Sequence, residues 1–167
     1  MAVLTFSDEI CELYQGLLSG FPQGIAVVTR EPSNDPAGGE DIVIRPANPN
    51  SAEIYLHPMG DILYTAVGRH TSMELWVRSR KQEEQELKTL RDISRAVIDG
   101  KFSEDVWTVN DKIVKSQGIF EIDGRMQRMG VGVYLAFFNP FSRKRRQHFD
   151  YSPYVQGRLE IRAGYTS

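Results

Sequence analysis

The stretch Met73-Glu74-Leu75-Trp76-Val77-Arg78 alternates in polarity, and within a dozen residues the period of the chain changes. Met73, Leu75 and Val77 fall on one side and Glu74, Trp76 and Arg78 on the other, the period of two expected of a strand with one wet face. Further on, the apolar residues are Leu87, Leu90, Ile93, Val97 and Ile98, spaced to form one stripe along a helix. The switch predicts a strand over 73–78 and then a helix over 81–99 that Gly100 closes. Carboxylates in Gln82-Glu83-Glu84-Gln85-Glu86 suit the positive end of that helix.

Toward the N-terminus, Ile10, Leu13, Tyr14, Leu17 and Leu18 repeat the helical spacing, which predicts a first helix over 8–19 with Ser7 as its N-cap and Gly20 past its end. Between the helices, the runs 25–30, 41–45, 53–57 and 62–67 are β-like and divided by turn residues. The segment 31–40 reads as an exposed acidic hairpin loop. No connection there is long enough for a helical crossover, so antiparallel hairpins follow. Beyond the second helix, 105–109 and 113–122 resume β structure, and Asp123-Gly124 marks a turn. A three-residue loop at that turn would set Glu121 against Arg125 and Phe120 against Met126, which pairs unlike charges and like apolar groups. A long strand over 130–138 comes next, and 158–162 reads as an edge strand or a tail.

The expected fold is therefore α+β: one domain over 1–167, with an antiparallel sheet of five to seven strands and both helices packed on one face. Its size and layout are of a kind common among small bacterial inhibitor and immunity proteins, a likeness that no motif carries. No apolar run approaches the length of a bilayer span, and the acidic start lacks the basic region of a secretory signal. The lone Cys11 has no internal partner, which fits a reducing compartment and a cytoplasmic location.

Charge is divided along the chain. Residues 1–124 hold 12 Lys and Arg against 20 Asp and Glu; residues 125–167 hold 8 against 2. Half of the second group's cations form the run Arg143-Lys144-Arg145-Arg146, with Phe141 and Phe149 close by. Such a run can meet an acidic protein patch and speed its association. It can also neutralise phosphates while aromatics stack on bases, although the acidic body would repel the same polyanion. Trp76, on the polar side of its strand, is a candidate interface anchor. The expected partner-binding set is thus Phe141, Arg143, Lys144, Arg145, Arg146 and Trp76, and the expected partner is another protein before a nucleic acid.

Signals for catalysis, metal or cofactor are weak. Glu31, Asp35, Glu40 and Asp41 lack the spacing of a calcium loop. His57, His70 and His148 lack zinc-site spacing, and His57 and His70 read as surface residues. Gly130-Val131-Gly132 lacks the third glycine of a dinucleotide fingerprint, no G-x-S-x-G is present, and Glu104 and Asp105 adjoin a chain reversal without evident role. A non-enzymatic binding protein is the leading expectation. Nucleic-acid or anion binding through the basic-aromatic segment 141–154 is the alternative, and a small-ligand binder or enzyme with a site assembled from scattered residues is the third.

Overall fold

A computed structural model describes residues 6–34, 39–133 and 145–155. The chain runs twice through one plan, a helix followed by antiparallel strands. Helix α1 (Phe6–Leu18) precedes β1 (Ala26–Pro32), β2 (Glu40–Pro46), β3 (Ile54–Met59), β4 (Ile62–Val67) and β5 (Thr71–Trp76). Helix α2 (Arg80–Ile98) precedes β6 (Phe102–Val109), β7 (Lys112–Ile122), β8 (Arg125–Val133) and β9 (Arg145–Asp150). The first five strands form a sheet in chain order, and the other four form a second sheet in the order β8-β7-β6-β9. The α+β class holds, with the strands divided between two antiparallel sheets instead of gathered in one.

Both ends of α2 follow from local chemistry. The Ser79 hydroxyl accepts from the Gln82 N–H, and the Gln82 side chain accepts from the Arg78 N–H, a reciprocal arrangement of the capping-box kind. At the other end, the Gly100 N–H bonds to the Val97 carbonyl and the Lys101 N–H to the Ala96 carbonyl. That pattern needs a left-handed residue at position 100, where φ is 72°. Helix α1 begins at Phe6, so Ser7 lies inside its first turn and not at the cap.

The β7–β8 turn differs from the expected three-residue loop. Ile122 pairs with Arg125, Glu121 with Met126 and Phe120 with Gln127. Asp123 and Gly124 both have positive φ, 52° and 71°, so the two-residue turn matches the twist of its strands. That backbone preference outweighs the better cross-strand pairs of the longer loop. The part of the predicted long strand beyond Val133, and the segment 158–162, lie outside the described residues. Strand β9 is a further departure, because it occupies part of what read as a basic loop.

One apolar cluster joins all four layers. It takes Ile10 and Tyr14 from α1, Leu90, Ile93 and Val97 from α2, Ile42, Ile44, Ile54, Leu56 and Leu63 from the first sheet, and Phe102 and Phe120 from the second. Within it the Tyr14 hydroxyl and Ser94 Oγ are 2.6 Å apart and bonded, which satisfies two polar groups shut off from water.

Residues 151–154 clasp the halves together. The Ser152 N–H donates to the Asn50 carbonyl and the Tyr154 N–H to the Ile98 carbonyl. The Pro153 carbonyl accepts from Asn48 Nδ2 and Ser51 Oγ, and the Tyr154 hydroxyl donates to the Ala52 carbonyl. A Cβ placed on Gly100 would lie 2.6 Å from the Pro153 backbone, so glycine there serves both the helix end and the clasp.

Candidate functional site

Strand β6 sends alternate side chains to opposite faces. Phe102, Glu104 and Val106 face the interior; Ser103, Asp105 and Trp107 face outward. The registers on either side then fix the neighbours of the outward set. Trp107 lies between Arg146 on β9 and Lys115 on β7, and Asp105 lies beside His148. Lys115 Nζ stands 4.6 Å from the Trp107 ring centroid and the Arg146 guanidinium carbon 5.7 Å from it. Both lie within the range in which a cation is attracted to an aromatic face.

Asp105 holds this arrangement from below. Its side chain is only 4% exposed. It accepts from Arg146 Nε at 3.0 Å and Nη2 at 2.7 Å, a bidentate geometry. It also bonds His148 Nδ1 at 2.9 Å, and the other ring nitrogen of His148 meets Asp150 at 3.1 Å. Burial alone would raise the Asp105 carboxyl, yet the bonds from Arg146 and His148 outweigh it and hold the group below its ordinary value. The bond to Asp105 in turn raises the His148 imidazole, helped by Asp150. The outcome is a sheet face with an aromatic centre and positive charge held by Asp105.

Of the six residues singled out from sequence, three are described: Trp76 on the first sheet, and Arg145 and Arg146 on the second. Arg145 and Arg146 open β9 and are thus strand residues, not loop residues. Arg143, Lys144 and Phe141 lie outside the described residues. Trp76 is on the outer face of the first sheet, 41% exposed, with the Arg78 guanidinium 4.5 Å over its ring. Met59, Ile62 and Trp76 are successive cross-strand partners there and form a short apolar row. Sequence reasoning did not assign Asp105, Trp107 and Lys115 to the basic segment, because only strand pairing makes them neighbours.

Two further expectations are corrected. Glu104, given no role from sequence, is fully buried. It accepts from the N–H groups of Arg69 and His70, from the Thr71 hydroxyl and from the Tyr151 hydroxyl, and so ties the β4–β5 turn and the clasp to β6. Burial, with this bond, raises the Tyr151 phenol. His57, expected at the surface, is only 4% exposed, because on β3 it lies across from Asp41 and bonds it at 2.6 Å.

Among the described residues no group of three or more His, Cys, Asp or Glu side chains could hold a metal ion, and no helix is long and apolar enough to cross a membrane. A groove of about 900 Å³ between the helices is lined by Leu13, Leu17, Leu87 and Ile98, with Glu12 and Arg95 among its charged residues. The fold and site define an α+β domain that presents a preorganised cationic aromatic sheet face. Compared with known protein families, curated proteins and solved structures, the chain matches none.

Proposed function

We propose that the chain is a non-enzymatic binding domain that sets the outer face of its second sheet against an acidic patch of a partner protein and masks it. The observation that carries this reading is the Asp105–Arg146–Trp107 arrangement: a buried carboxylate holds an arginine beside a tryptophan of the neighbouring strand. Trp and Arg are the residue types most often found to dominate interface energies. Fixing the arginine before contact lowers the ordering cost that association must otherwise meet. Lys115 and His148 extend the positive field on the same face, which steers an acidic partner. Masking of this kind is how an inhibitor or immunity protein works, and that is the form of activity we favour.

The same face suits single-stranded nucleic acid, since Trp107 offers a stacking surface between two cations. Purification from the native host, with mass spectrometry and absorbance at 260 nm, separates the two readings. A stoichiometric protein partner is expected, and Arg146→Glu with Lys115→Glu should slow its association at least tenfold, with a weaker dependence on salt. Association unchanged by that double reversal would refute the assignment of the face. Recovery of nucleic acid in place of protein would favour the second reading.

A further inference from the structure

A second site lies on the outer face of the first sheet, away from the surface proposed above. Across strands β2 and β3, Asp41, Val43 and Arg45 alternate outward with Glu53, Tyr55 and His57, and Tyr64 pairs with His57 from β4. Together with Glu31 and the stretch 32–34 these residues line a cleft of about 480 Å³, within the range of small-molecule sites.

The inner end of the cleft is unusual. His57 Nδ1 lies 2.6 Å from Asp41 Oδ1 and 3.3 Å from Ser33 Oγ. A carboxylate only accepts, so Nδ1 directs its hydrogen at Asp41, and in the neutral ring that tautomer leaves Nε2 as a hydrogen-bond acceptor. That nitrogen is shut off from solvent and has no hydrogen-bond partner among the described residues. A buried polar atom left unpaired costs free energy, and in a native protein it calls for a reason. Burial of Nε2 also means that a ligand reaches it only when the side chains over the ring move aside.

Charge selects the ligand. Of the lining residues Glu31, Asp41 and Glu53 are acidic and Arg45 is basic. Arg45 is committed to Glu31 at 2.6 Å and Glu53 at 3.4 Å, which leaves an excess of two negative charges. Tyr55 and Tyr64, edge to face with centroids 6.5 Å apart, add aromatic walls that attract cations. An anion would meet that excess charge, and a neutral acceptor would leave Nε2 unpaired.

We propose that this cleft binds a primary amine, whose ammonium N–H donates to His57 Nε2 while Glu31, Glu53 and Asp41 balance its charge and the tyrosine rings line its carbon chain. The probe is 1,4-diaminobutane added to the whole chain, followed by calorimetry and by ¹⁵N NMR of the histidine rings, with butan-1-ol and butyrate as neutral and anionic comparisons. Saturable binding of the diamine that displaces the His57 Nε2 resonance is expected, with neither comparison compound doing so. His57→Gln should weaken binding at least tenfold, the range of a hydrogen bond to a charged group. If that variant unfolds, Glu53→Gln serves, because its side chain is half exposed; a loss of about 2–5-fold is expected there. An unmoved His57 resonance, equal binding of butan-1-ol, or undiminished binding by a folded variant would each overturn the proposal. None of these outcomes bears on the second sheet, so the two sites stand or fall separately.

Discussion

The inner and outer faces of the second sheet each bury a carboxylate, and the two are neighbours in the chain. Glu104 points inward and is held by backbone N–H groups and hydroxyls. Asp105 points outward and is held by an arginine and a histidine. Both are nearly inaccessible, so burial does not distinguish them; the partners do. Neutral donors drawn from the β4–β5 turn and the clasp make Glu104 a fastening of the fold. Cations that are themselves exposed make Asp105 a support for a surface. On the reading proposed above, one strand serves stability on one side and recognition on the other.

The largest test of this contrast is Glu104→Ala. Four donors would lose their acceptor inside the protein, and unfolding in urea should show a loss of about 3–5 kcal/mol. A loss below about 1 kcal/mol would mean that the inner face does not depend on Glu104. Next comes Gly118→Ala, also on the inner face. Its Cβ would lie 2.6 Å from Thr71 Cγ2 and 2.8 Å from Phe120 Cε2, so overpacking should cost about 1–3 kcal/mol. A neutral result would show that this side of the sheet has room to yield.

The smallest effect on stability, and the most specific, belongs to Asp105. Its carboxyl is held low in the folded protein, so its contribution is present above the unfolded value of about 3.9 and fades as pH falls through the folded one. His148 is raised, so its contribution is full below about 6.5 and is lost as pH rises through the folded value. The outer face should therefore be tightest between about pH 4 and 6.5. An NMR titration should place the His148 midpoint above that of the unfolded chain, and Asp105→Asn should lower it. An unshifted midpoint in the wild-type chain would break the link between Asp105 and the surface.

How far the sequence reveals this molecule depends on how local each cause is. Helix α2 was legible because its stripe, the carboxylates of its first turns and its Gly100 end all lie within about two dozen residues, whereas the Ser79 cap was not read from the sequence. The hairpins were legible for the same reason. Strand β9 was hidden, because Arg145-Arg146-Gln147-His148-Phe149-Asp150 has no apolar alternation and takes its place only by pairing with β6, some forty residues earlier. The division into two sheets is equally non-local. Arg145 and Arg146 were recognisable as candidates from charge alone. The contact of Arg146 with Trp107 required the β6–β9 register, and His57 read as a surface residue because nothing in the sequence sets it opposite Asp41.

The clasp also sets an order in time. The Tyr154 hydroxyl bonds the Ala52 carbonyl across 102 residues of chain, and Pro153 holds Ser51 across an equal span. At a synthesis rate of about 5–20 residues per second, the loop at 48–52 waits roughly 5–20 s on the ribosome for the segment that secures it. Until then the first sheet and both helices lack a fastening that the finished fold contains. A nascent chain paused near residue 150 would be open to proteases and chaperones, and two tyrosines further on would close it.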